Sequence, residues 1–178
     1  LFSLINVATN HLVSGKPTRR WGNQHPNLVP YQVFAAADRA IVIGVGNDAQ
    51  YRRLCELLGI DERLRELDTA ARLERRDEVV AAVGAAVGTR SADGTVAALR
   101  AAGVPAAPLL MPHETLAAVA LTDPGALVAI AHPRLGVVRL PAPPLEGDGV
   151  RSEHVAPPLL GEGGDVMASR WLRETIRT

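Results

Sequence analysis

Residues 21–34 constrain this chain more than any other stretch: Trp21-Gly22-Asn23-Gln24-His25-Pro26-Asn27-Leu28-Val29-Pro30-Tyr31-Gln32-Val33-Phe34. A polar loop locked by glycine and proline runs directly into an apolar, β-branched segment. Gly22 admits backbone angles that other residues avoid. Pro26 and Pro30 fix φ, and each disfavours the helical region for its predecessor, His25 or Val29. Asn23, His25 and Asn27 therefore sit on a stiff frame beside a strand, a setting in which binding residues concentrate.

On either side, punctuation and periodicity define the elements. Residues 2–13 read as a helix ended by Gly15. Tyr31–Phe34 and Ala40–Val45 read as strands of a hairpin turned at Ala37-Asp38-Arg39. Asn47 or Asp48 caps a helix from Ala49 to Leu58, with Tyr51, Leu54, Cys55 and Leu58 on one face and Gly59 at its end. Asp61-Glu62-Arg63 opens a short helix, and Asp77-Glu78 opens another through Val79, Val80, Val83 and Val87. Ser91 caps a further helix through Val96 and Leu99, closed by Gly103 and Pro105. A short strand is expected within 106–111 and a helix over Glu114–Ala120. Strands Ala126–Ala131 and Val137–Leu140 flank the turn His132–Gly136. From Pro141 the proline and glycine content describes an extended arm, and a helix is expected from Asp165 to Ile176. The fold class is α+β: a short antiparallel sheet flanked by helices, then an extended Pro-rich arm and a terminal helix.

The bulk numbers exclude several classes of function. With 178 residues the chain can close a core, but aromatics make up only 3%, so that core must come from Ala, Val and Leu. Nineteen basic residues balance nineteen acidic ones, which leaves no electrostatic case for nucleic acid or an anionic membrane. No stretch approaches the roughly 18 apolar residues of a membrane span, and no signal peptide is visible. The single cysteine, Cys55, rules out an internal disulfide and suits a reducing cytoplasm. An apolar start without an initiator methionine leads us to expect a piece of a longer protein.

Candidate chemistry is sparse. His11, His25, His113, His132 and His154 show no metal-ligand spacing, so no metal is expected. Gly44-Val45-Gly46-Asn47-Asp48 has the order strand, glycines, helix start, but lacks the third glycine of a dinucleotide fingerprint and reads as a tight turn with a cap. No serine-hydrolase elbow is present. Cys55 falls on an apolar helix face, as a buried structural thiol does. The Arg/Glu runs between Asp61 and Glu78 read as solvated helix faces. His25 has two readings from the residues alone: a loop histidine bonded to backbone, or the wall of a pocket.

Gly22 through Tyr31 closely resembles the G-N-x-H-P-N-[IL]-V-P-Y motif of the class III CoA-transferases, the family of formyl-CoA and carnitine-CoA transferases. Further markers follow in the family's order: Ala37-Asp38, Gly46-Asn47-Asp48-Ala49-Gln50-Tyr51 with Leu54-Cys55, Ala101-Ala102-Gly103-Val104-Pro105, Asp123-Pro124, His132-Pro133 and Pro157-Pro158-Leu159-Leu160-Gly161-Glu162. Two places depart from it: Arg39 stands where glycine is usual, and Gly163-Gly164-Asp165 replaces the usual His-Thr-Asp.

The resemblance implies a CoA-transferase that moves CoA from an acyl-CoA donor to a carboxylic acid. The reaction runs through aspartyl anhydride and aspartyl thioester intermediates, with no cofactor besides the CoA thioester substrate. It places the catalytic aspartate upstream of Leu1, so no catalytic residue is expected here. Gly22, Asn23, His25, Asn27 and Tyr31 become the expected substrate-binding residues, with Gly22 and Asn23 in position to offer backbone N–H groups to a tetrahedral oxyanion. It also implies an interlocked homodimer in the cytoplasm. The implied organisation is a helix left from the CoA-binding domain (1–15), a small α+β domain (16–140) and a return arm with terminal helix (141–178). Two alternatives stay open. One is the 2-methylacyl-CoA racemase branch, for which Asp48 sits about where an acidic helix start is carried. The other is a non-catalytic interaction domain of the same type.

Overall fold

The computed structural model describes residues 2–143, 147 and 154–165. By contacts the chain divides into two compact units, 1–109 and 110–178. The division falls inside the 16–140 span that the sequence reading holds together.

In the first unit, helix α1 (Ile5–Ser14) ends where Gly15 takes a left-handed φ of 67° and its N–H closes on the His11 carbonyl. After the loop, β1 (Tyr31–Ala35) and β2 (Ala40–Gly44) form the expected hairpin, with Tyr31 opposite Gly44 and Phe34 opposite Ile41. Helix α2 (Asp48–Leu58) starts on a reciprocal cap: Asn47 Oδ1 accepts the Gln50 N–H at 2.9 Å, and Gln50 Oε1 accepts the Gly46 N–H at 2.8 Å. This is the tight turn with a cap that the glycines suggested. Asp61 caps α3 (Glu62–Arg65), Asp68 caps α4 (Thr69–Glu74), and α5 (Arg76–Gly88) follows. Helix α6 (Ala92–Ala101) leads into β3 (Ala106–Pro108), which pairs antiparallel with β2. The sheet order β1-β2-β3 leaves β1 as an edge strand.

Strand alternation sorts the two faces of this sheet. Gln32, Phe34, Ile41 and Ile43 are buried, the last three among Leu54, Val79, Val83, Val87 and Leu99 from the helices. Valines repeating every four residues give α5 its buried stripe, as the sequence pattern predicts. Each fully buried Val or Leu contributes about 1.5–3 kcal/mol by its removal from water. With Phe34 and Tyr51 as its aromatic members, the core is aliphatic, as the composition requires.

Two sequence expectations are corrected here. Ser91 holds the N-cap position of α6 but makes no side-chain cap; the Ala92 N–H donates instead to Asp38 Oδ1, at 2.7 Å, from the β1–β2 turn. The second concerns the charged run from Asp61 to Glu78, which is not uniformly solvated: Arg72 is 1% exposed and Arg76 7%.

In the second unit, α7 (Pro112–Thr122) precedes a separate two-stranded hairpin, β4 (Leu127–His132) and β5 (Gly136–Pro141). His132 Nδ1 accepts the Arg134 and Leu135 N–H groups, which makes this histidine part of its turn. Parts of the expected arm (144–146 and 148–153), and the expected terminal helix from 166 onward, lie outside the described residues.

Candidate functional site

The loop of residues 16–30 runs along the open edge of β1. Trp21 to Gln24 form a turn closed by the Gln24 N–H on the Trp21 carbonyl at 3.0 Å. Gly22 takes φ of 61° there, while among the described residues none other than glycine has positive φ. A glycine-first turn of this kind is the mirror-image II′ form. Asn23 Oδ1 then accepts the Val33 N–H at 3.1 Å, and the His25 N–H donates to the Tyr31 carbonyl at 2.9 Å. These two bonds occupy edge groups of β1 that would otherwise lack sheet partners.

The same contacts place the five residues singled out from the sequence. His25 Nδ1 accepts the Asn27 N–H at 3.1 Å, so in the neutral ring the proton sits on Nε2. The His25 ring lies 5.2 Å from the Tyr31 ring, tilted by 45°. Tyr31 in turn covers Gly44: a Cβ on Gly44 would meet the tyrosine ring at 3.1 Å. Asn27 points its amide to α1, exchanging hydrogen bonds with Asn10 at 2.9 and 3.2 Å and donating to Asn6 at 3.3 Å. The Asn23 and Asn27 side chains thus serve the chain's own geometry. Among the described residues the Gly22 and Asn23 N–H groups donate to nothing.

Two buried arginines hold the loop from behind, and the sequence reading missed both. Arg76 donates to the His25 and Pro26 carbonyls at 3.1 and 2.8 Å, with its guanidinium 4.9 Å from the Trp21 ring centroid. Burial first, then the neighbouring Arg19 charge, lower its pKa from the ordinary arginine value. Arg72 donates to the Val29 and Leu67 carbonyls, both at 2.8 Å, pairs with Asp48 at 2.9 Å and lies 4.3 Å over the Tyr51 ring. The Thr69 hydroxyl and then Arg72 hold the Asp48 carboxyl below its usual range. A signal was present in retrospect: Arg72 and Arg76 are four apart, one helical turn, in line with the buried valines of α5.

Among the described residues two cavities meet this loop, and both touch Arg19, Trp21 and Pro26. A cleft of about 550 Å³ lies toward the start of α5 and carries both signs of charge, from Arg75 and Arg76 to Glu74 and Asp77. A smaller cavity of about 220 Å³ lies toward α1, and Asn27 lines it. Gly22, Asn23, His25 and Tyr31 line neither of these two. Cys55 is buried, which pushes its thiol pKa up, against a nucleophilic role. No helix among the described residues is long and apolar enough to cross a membrane.

Comparison with known proteins places the chain in a family. Residues 2–163 match the model of CoA-transferase family III, and the chain belongs to that family. It is 28% identical over 163 residues to a mouse succinyl-CoA:glutarate CoA-transferase, covering 89% of this chain and 37% of that protein. It is 53% identical over 57 residues to a succinate–glutarate CoA-transferase of Agrobacterium fabrum, 32% of this chain and 14% of that one. A crystal structure of a CaiB/BaiF family protein from Brucella suis superposes with a TM-score of 0.67 at 29% identity, over 94% of this chain and 44% of that one. The chain therefore spans well under half the length of these relatives.

Proposed function

We propose that this chain is the C-terminal part of a CoA-transferase that moves CoA from an acyl-CoA donor to a carboxylic acid, and that both acids are short dicarboxylates. The dicarboxylate class rests on the names of the two relatives, each of which joins succinate or succinyl-CoA to glutarate. One observation carries the site: the Gly22 and Asn23 N–H groups are unpaired on a turn fixed by β1 and Arg76. Such donors, held still before the reaction, stabilise charge that appears only in a transition state.

The reading assigns the nucleophile to an aspartate in the part of the protein outside this chain. Its carboxylate attacks the acyl-CoA carbonyl, and collapse of the tetrahedral oxyanion expels the CoA thiolate and leaves an anhydride. The thiolate then attacks the aspartyl carbonyl and releases the first acid. The acceptor carboxylate reverses the sequence, ending with CoA on the acceptor and the aspartate restored. Each tetrahedral oxygen is offered the Gly22 and Asn23 N–H groups, with His25 Nε2–H as a side-chain donor of the same loop. The exposed apolar side chains of Leu4 and, on α1, of Ile5, Leu12 and Val13 fit a helix belonging with that outside part. The whole protein is, on this reading, a cytoplasmic interlocked homodimer.

The racemase branch, whose base pair would lie outside this chain, gains no support from Asp48. Its carboxylate is committed to Thr69 and Arg72, and its lowered pKa makes it a poor proton acceptor. The test is to incubate the intact protein with succinyl-CoA and glutarate in deuterated water and to read the products by mass. Glutaryl-CoA without deuterium at the acyl α-carbon is the expected result. Deuterium exchange without CoA transfer would overturn the assignment in favour of an isomerase.

A further inference from the structure

The smaller cavity has a charge character that the larger cleft lacks. Its lining includes Lys16, Arg19 and His11 and contains no aspartate or glutamate. Among the described residues neither Lys16 nor Arg19 forms an ion pair, although most arginines of α3–α5 do. Its volume of about 220 Å³ is below the range of about 300–1,000 Å³ usual for drug-sized ligands. A CoA nucleotide is too large for it, and an aliphatic acid of four or five carbons is the right scale.

Arg19 is poised for such an acid. Its guanidinium lies 3.9 Å over the Trp21 ring, and Trp21 also meets Arg76, which holds the loop carbonyls. Stacking a guanidinium on an aromatic face restrains its plane while leaving the N–H edge open to a carboxylate, which it can grip with two parallel bonds. Gly22 lies three positions beyond Arg19, so their Cα atoms are at most about 11 Å apart. A short dicarboxylate held at Arg19 therefore lies close along the chain to the turn at Gly22, which itself does not line the cavity.

We propose that Arg19, supported by Lys16, binds the distal carboxylate of the dicarboxylic acid and so sets the enzyme's preference for two-headed acids. The inference rests on the CoA-transfer reading above. Its test separates the two by competition: the intact enzyme receives one acyl-CoA donor and equal concentrations of glutarate and pentanoate, which differ in the second carboxylate. The ratio of glutaryl-CoA to pentanoyl-CoA is independent of the donor step and of the fraction of active enzyme. The wild type should favour glutarate. Arg19→Gln should lower the ratio by about 10- to 100-fold, the loss of one charged hydrogen-bonded contact. Arg19→Lys should fall between, and Lys16→Gln should lower the ratio by less. An unchanged ratio in Arg19→Gln and Lys16→Gln, or equal loss of both products, would overturn the proposal while leaving CoA transfer intact. Absence of both products with the wild type would sink the transfer reading itself, and this inference with it.

Discussion

In the first unit Ile41, Ile43, Tyr51, Leu54, Val87 and Leu99 are fully buried, whereas in the second the described hydrophobic residue that reaches burial is Ile130, at 8% exposure. The second unit leaves Leu116, Leu121, Leu135, Val137 and Leu140 exposed. Three strands with helices against one face close a core; among the described residues of the second unit, a two-stranded hairpin and one helix bury far less. The difference matters because the candidate loop belongs to the first unit. Its carbonyls are bonded to Arg72 and Arg76, whose side chains sink among the same helices that form the core. A site that must present backbone donors at fixed positions is therefore built where the chain is most rigidly held.

The strongest way to break that contrast is to cut the link between loop and core. Arg72→Ala removes the charged partner of Asp48 and the donor to the Val29 and Leu67 carbonyls at once. It should cost about 3–5 kcal/mol in urea unfolding, and Arg72→Met, which keeps the packed stem, should cost less. A second comparison sets the two units side by side. Leu99→Ala should cost about 2–5 kcal/mol, against about 0.5 kcal/mol or less for Leu121→Ala, which is already 86% exposed. Equal losses at the two positions would mean that both units close comparable cores.

Acid sharpens the account of the Arg72 cluster. Asp48 has a lowered pKa when folded, so its contribution to stability is present above the unfolded carboxyl value of about 4. That contribution disappears as pH falls through the lower, folded value. The stability difference between wild type and Asp48→Asn should be full at neutral pH and shrink toward zero in strong acid, as followed by urea unfolding across the range. A difference constant with pH would mean that the Asp48 charge is not engaged. An effect smaller than at Arg72 or Leu99 is expected at Gly44: Gly44→Ala must displace the Tyr31 ring and should lower stability by about 1–3 kcal/mol.

Local signals made much of this legible. The hairpin, the buried face of α2 and the glycine stops at Gly15 and Gly59 all follow from patterns a few residues long. Long-range contacts were not legible. Asp38 caps α6 across 54 residues of sequence, a partner no local pattern names, and Ser91 was the obvious local candidate. Arg72 and Arg76 sit in a run whose charge reads as exposure, and only the tertiary fold supplies the carbonyls that make their burial affordable. Helix α4 was lost in the same run, because Asp68 resembles its acidic neighbours more than a cap. At the loop, the stiffness contributed by Gly22, Pro26 and Pro30 was readable. The engagement of Asn23 with β1 and of Asn27 with α1 was not.

Gly22→Ala in the intact enzyme probes the central claim most directly. Alanine at φ of 61° strains the turn by about 1–2 kcal/mol without touching any neighbour within 4 Å. If the Gly22–Asn23 turn holds the oxyanion, kcat for CoA transfer from succinyl-CoA to glutarate should drop by about 100-fold while the protein stays folded and KM changes little. A kcat within about twofold of wild type, measured on folded protein, would contradict the placement of this loop at the thioester.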